Sequence, residues 1–442
     1  MAKVNSLFAM ESEDAVLDSE NPEKDLDESI VNNIAAQDAD IAETINDIDV
    51  ASNEMCLMEK TSDIIADDVD NGRAIDSTAA AMAQVAVESV MERLNIKSKQ
   101  LIPAIEAFDS VNTKTHASKI ALENIKDTIK KIWEGVVKGI KTVFEALGKY
   151  FSLIEIATAS IKSQVQYQTN AVKKLSGNII REKIQDQRIG FLADKEGKYD
   201  EYAILQTHLN FTKNALLPED VVKSINESVN KAISNTDSAL GDQDALHGAV
   251  SKETLTFVKH FEHLTNAKAA YSRDDNGDKV TEIAIGPFYK HKYVAIKHIK
   301  PENGLDKLEM RIKDLSTADS NGMSYSYSVN TFTKENIIHN LVAIADLIKT
   351  NDKYREEFPK WKKTCDNILT SADKLSEKLL TDSKNTIDEK FSLKTSLLRN
   401  LRSVFTSNAA VGNKLLSTMP RLNVDLCTTV LILNRKSMYN LE

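Results

Sequence analysis

Apolar positions recur at intervals of three and four along most of this chain, and breaks in that rhythm divide it into segments. The most regular run begins after His116. Ile125, Ile129, Ile132, Trp133, Val136, Val137, Ile140, Val143, Phe144, Leu147, Phe151 and Ile154 fall on one helical face. The other face carries Lys126, Lys130, Lys138, Lys141 and Lys149, with Asp127, Glu134 and Glu145 among them. The pattern predicts a long helix reaching about Ile180. Gly135 and Gly139 lie one turn apart within it, so the missing side chains predict close approach of another helix.

Upstream, Ile30, Ile34, Ile41, Ile45 and Ile48 keep helical spacing but are separated by Asp, Glu, Asn and Ser. Residues 12–75 therefore predict weak amphipathic helices, marginal alone and in need of a partner surface. The Ala-rich run from Thr78 to Ala86 predicts a better helix over 76–102, ended near Pro103. Shorter helices are expected between 199 and 270. The period then changes. Asn276-Gly277 marks a tight turn, Val280 to Ile285 alternates apolar with polar, and Tyr293 to Ile299 follows Gly286-Pro287. After the turn at Pro301 to Gly304, Leu308, Met310 and Ile312 alternate, and Asn321-Gly322 precedes Met323 to Val329. These segments predict a four-stranded β-meander over 279–331.

From Lys334 the helical period returns. Ile337, Ile338, Leu341, Ile344 and Leu347 mark one helix. Trp361, Ile368, Leu369, Leu375 and Leu379 mark a second; Phe391, Leu397, Leu398, Leu401 and Phe405 mark a third. Leu422 to Leu433 is apolar and β-branched and should be buried. The expected class is α+β and mainly α, with a small antiparallel β-meander inserted between helices. Its expected parts are an acidic leader of weakly ordered helices (1–106), a long amphipathic helical segment (107–198), mixed helices followed by the meander (199–332), and a C-terminal helical region (333–442).

Composition supports this reading. Only 14 Gly and 7 Pro occur in 442 residues, which favours helix. Cys56, Cys365 and Cys427 have no metal-ligand spacing and are too few for a disulfide scaffold. No apolar run is long enough to span a bilayer, and Met1 to Glu13 lacks the apolar core of a secretory signal.

Charge changes the picture more. The first 88 residues carry 22 acidic against 4 basic side chains, a net of −18, whereas the rest carries 44 against 52, a net of +8. An acidic front end thus hides a basic body. No phosphate-binding loop, dinucleotide fingerprint or His-Glu-x-x-His motif is present, so no enzymatic activity and no cofactor is expected. His260 and His263 flank Glu262 on one helical face but lack further zinc ligands at useful spacing. Asp274 to Asp278 looks briefly like a calcium loop, but that register puts Ser272 and Ile283 where carboxylates are needed. No metal site is expected. Lys290, Lys292, Lys297 and Lys300, interleaved with Tyr289, His291, Tyr293 and His298, form a candidate nucleic-acid contact or an ordinary solvated strand face. The lysine-faced helix, over 123–155, could alternatively lie on a membrane surface in an ejected or membrane-active protein, or bury the same stripe as a bundle helix.

Four Ala-x-Glu triplets fall in the first 123 residues and none later: Ala9-Met10-Glu11, Ala86-Val87-Glu88, Ala104-Ile105-Glu106 and Ala121-Leu122-Glu123. Two of them sit close to the charge reversal. The opening Ser6-Leu7-Phe8-Ala9-Met10-Glu11-Ser12, the acidic helical leader, and the run Ala121-Leu122-Glu123-Asn124-Ile125-Lys126 continuing to Lys131-Ile132-Trp133-Glu134 carry a family likeness. Over residues 1–155 the chain resembles the internal head proteins of phiKZ-like giant tailed phages. That resemblance implies a structural protein of the virion, made in the host cytoplasm and built into the prohead core with other head proteins. It also implies an N-terminal propeptide cut by the prohead protease after Glu in Ala/Ser/Gly-x-Glu motifs, leaving a body that meets packaged DNA by non-specific charge. The preferred cut follows Glu106, before Ala107, because Pro103 stops a helix and Ala107 to Thr115 is a polar lead-in. Glu88, before Ser89, comes second. Glu123 ranks last because helices resist proteases. A ladder of cuts that includes Glu11 is compatible with the same motifs.

Overall fold

The computed structural model describes residues 28–70, 73–96, 100–110, 113–192, 201–214, 270–273, 278–289, 292–300, 307–314, 328–382 and 391–441. Six helices dominate them: α1 (Glu28–Asp70), α2 (Ser77–Arg93), α3 (Lys114–Lys173), α4 (Glu201–Asn214), α5 (Lys334–Asp382) and α6 (Phe391–Met438). At 60 residues α3 is about 90 Å long and serves as the axis on which α1, α5 and α6 pack. Its predicted stripe is the core. Ile125, Val136, Ile140, Val143, Phe144, Leu147, Phe151 and Ile154 are all buried. That face is covered by α1, α5 and α6. Among the described residues no helix is long and apolar enough to cross a membrane.

The acidic segment does not break into short pieces. Residues 28–70 form one helix whose Ile34, Ile41, Ile45, Ile48, Met55, Met58 and Ile65 are buried. The partner surface that such a helix requires is supplied by α3 and α6. Ile48 meets α3 at Gly139, where an added Cβ would lie 2.9 Å from Ile48 Cγ1. Gly139 therefore performs the close approach expected of it. Gly135 does not, since nothing lies within 4 Å of its Cβ position.

The second helix is shorter than its alanines predict. Asp76 caps its start, accepting a 2.8 Å hydrogen bond from the Ala79 amide. It ends at Arg93 rather than near Pro103, because Asn95 turns left-handed at φ +52°. The Asn95 and Ile96 amides then bond back to the carbonyls of Glu92 and Met91. The C-terminal pattern is also simpler than expected: the two helices predicted over 337–379 are one, running through Pro359, and the third joins the buried tail in one helix through Pro420.

The sheet has order β2-β3-β4-β5, all antiparallel: β2 (Ala270–Arg273), β3 (Lys279–Phe288), β4 (Lys292–Lys300) and β5 (Lys307–Asp314). Three of these are the predicted meander. Instead of a fourth strand extending it, β6 (Ser328–Asn330) pairs with β1 (Lys183–Gln185) in a separate two-stranded sheet. Ile283, Ile296 and Met310 are cross-strand partners and fully buried, so one face is apolar. The sheet packs through β5 against α6 and through β3 against α4.

Candidate processing strap and the leader seam

Between the end of α2 and the start of α3 the chain forms a strap pinned at two points. Ile102 and Phe108 are buried, at 1% and 2% exposure. Asn124 Nδ2 also donates to the Leu101 carbonyl at 2.9 Å. Between those pins Ala104, Ile105 and Glu106 face solvent, and Ala107 is half-buried. Only a single 3₁₀ turn, Ile105–Phe108, orders this stretch, through Ala107 N–H to the Ala104 carbonyl (2.8 Å) and Asp109 N–H to that of Glu106 (3.3 Å). Thr113 Oγ1 adds a 2.8 Å bond to the Ala107 carbonyl. Extending the strap into a protease cleft breaks few hydrogen bonds and moves few buried groups.

The two other triplets among the described residues are less accessible. Ala86, Val87, Glu88 and Ser89 sit inside α2, with Val87 at 1% exposure. Glu88 accepts from Gln84 Nε2 at 2.8 Å. Opening there would unravel the helix. Glu123 is exposed on α3, but its neighbours Leu122 and Ile125 are buried. Ala9, Met10 and Glu11 lie outside the described residues, as do Lys290, His260, His263 and Asp274 to Gly277.

The strap joins the basic body to a leader that is docked on it. Helix α1 carries 12 acidic residues and one basic; α6 carries seven basic and one acidic. They run antiparallel with their charges in register. Asp38 meets Arg421 at 2.6 Å, Asp49 meets Lys414 at 3.7 Å, Glu59 meets Arg402 at 3.1 Å, and Asp63 meets Arg399 at 2.5 Å. Between these rungs Ser52 Oγ and Thr406 Oγ1 share a buried 3.1 Å hydrogen bond. From Arg399 to Arg421 the row extends about 33 Å along α6. Arg93 on α2 adds a pair to Glu54, at 2.7 Å.

The rungs are not surface decoration. Arg402 is 3% exposed and its guanidinium lies 4.7 Å from the Trp133 ring centre. Burial pushes the Glu59 carboxyl up to about 7 against the pull of Arg402, and it lowers the Arg402 guanidinium. Asp49 is raised as well, chiefly by burial, with Lys414 opposing. Polar groups at core positions of α1 are thus matched by polar groups on α6, which fixes one register for the leader. Sequence reasoning missed Arg399, Arg402, Lys414 and Arg421. The available signal was the opposite charge excess of residues 28–70 and 391–438.

A second polar site lies where α4, α5 and α6 meet the sheet. His208 Nε2 accepts the Tyr289 N–H at 2.9 Å, so its proton sits on Nδ1, facing Asn423 Oδ1 at 3.3 Å. Asn423 Nδ2 donates to Asn351 Oδ1 at 2.9 Å. Burial pushes this imidazole down to about 4 and keeps it neutral. Its hydrogen bonds cross-link α4, α5, α6 and the end of β3.

The three described candidate DNA-contact lysines do not share one strand face. Lys297 pairs with Glu282 at 3.5 Å, and Lys313 takes the other oxygen at 2.6 Å. Alternation along β4 puts Lys292 and Lys300 on the opposite face from Lys297. Among the described residues no group of three or more His, Cys, Asp or Glu could hold a metal ion. Compared with known proteins, the model of the phiKZ-like phage internal head proteins matches residues 27–419. No curated protein and no solved structure matches.

Proposed function

Since the chain belongs to the phiKZ-like phage internal head proteins, structural components inside the phage head, we propose that it is a precursor cut by the prohead protease after Glu106. Residues 1–106 hold 24 acidic and 7 basic side chains, a net of −17, and the remainder holds 42 and 49, a net of +7. The leader neutralises the body and presents an acidic surface to basic core partners while the shell is empty. Loss of the leader then leaves a body that tolerates packaged DNA, where a segment of −17 would be repelled by phosphate. The observation that carries this reading is the strap: an Ala-x-Glu triplet exposed outside any α-helix, between two buried anchors, at the boundary between an acidic and a basic unit.

Replacing Ala104 with Leu and Glu106 with Gln in the phage should leave full-length protein in assembled heads, read by intact-mass spectrometry. Glu88→Gln should leave the product unchanged. A normal-length product from the first variant would show that the cut lies elsewhere.

A further inference from the structure

We infer that the groove between α3 and α6 is a receptor for an acidic helix with a seven-residue apolar repeat, and that the leader stays seated in it after the cut proposed above, on which this reading depends. The cut falls in the strap, and none of the α1 contacts with α3 or α6 passes through the strap. The four Ala-x-Glu triplets fall on either side of residues 28–70, so these triplets leave α1 whole.

What holds the helix is then unchanged by scission. Ile34, Ile41, Ile48 and Met55 repeat every seven residues and are buried. Removing them would open α3 at Gly139 and expose the apolar surface of two long helices to water. The polar positions Asp38 and Ser52, buried, and Glu59, partly buried, supply the register, matched by Arg421, Thr406 and Arg402 in turn. A helix seated out of step would leave Arg402 buried over Trp133 without its carboxylate. Salt screens the outer pairs but leaves the apolar stripe in place. The receptor therefore selects acid and isoleucine spacing together, and charge reversal of the body is an event separate from the cut.

A recognition sequence for a site-specific protease, inserted between Glu106 and Ala107 of the full chain, lets the folded protein be cut without the phage enzyme. After complete cleavage, leader and body should co-elute in equal amounts on a sizing column at the volume of the uncut chain, both at low salt and at about 1 M NaCl. A leader that elutes apart from the body overturns the assignment. Ile41→Asp with Ile48→Asp should release the leader from the cut protein; retention of that leader would show that the groove is not what holds it. A phage protease that spares Glu106 would sink the processing proposal and leave this result untouched.

Discussion

Helix α6 is gripped on two sides by different chemistry. Toward α1 it meets carboxylates, in a row of ion pairs laid along an apolar stripe. Toward α4, α5 and the sheet it meets neutral groups: Asn423 with His208 and Asn351, Asn434 with Asn340, and Asn413 with Trp361 Nε1. The charged seam holds the segment that precedes the strap, and the neutral seam holds the body together. Charge pairs give the first seam its register and its sensitivity to conditions. Amide pairs keep the second seam unchanged by salt.

Packing at two glycines separates the seams most sharply. A Cβ at Gly412 would lie 2.3 Å from the Trp361 ring, whereas one at Gly139 would lie 2.9 Å from Ile48 Cγ1. Gly412→Ala should therefore destabilise the body by about 3 kcal/mol or more, and Gly139→Ala should cost less, about 1–2 kcal/mol, because the clash is milder while the helix-propensity gain is the same. Chemical denaturation measures both. Equal losses would mean that the leader seam is as rigid as the body.

The buried pair comes next. Arg402→Met alone strands Glu59 and should cost about 3 kcal/mol, but combined with Glu59→Leu the loss should shrink toward zero. A double mutant as unstable as the single would show that the pair itself holds α1.

Acid should act on the two seams in opposite senses. His208 binds a proton more readily unfolded than folded, so its contribution is complete above about pH 6.5 and is lost as pH falls toward 4, to a total of about 3 kcal/mol. Glu59 is raised to about 7 in the fold, so its contribution is present below about pH 4.5 and disappears as pH rises through 7. Between pH 7 and 5, hydrogen-exchange protection, corrected for the intrinsic pH dependence of amide exchange, should fall around His208 and Tyr289 while α1 near Glu59 holds. His208→Gln should abolish the first effect. An unchanged pH profile in that variant would assign the acid response to other groups.

Much of this architecture was legible because buried apolar positions keep their period. The α3 stripe, the meander and the buried tail follow from Ile, Val and Leu spacing alone. Misreadings arose where a core position is polar and its partner lies far along the chain. Asp38, Ser52 and Glu59 made residues 12–75 look too poor in apolar groups for a firm helix, yet each has a partner on α6. Thr350 and Asn351 are buried in α5, and the gap they leave in its apolar pattern read as a break between two helices. The strap was located by its triplet and Pro103, but the helix before it ends at Asn95. A left-handed asparagine stops a helix without interrupting its alanine pattern.

The most direct test is the N-terminal residue of the protein recovered from mature heads, read by intact mass and terminal sequencing of the body chain. Cleavage at the strap predicts Ala107. A chain still continuous through Glu106, or a body that begins at Ser89, would contradict it.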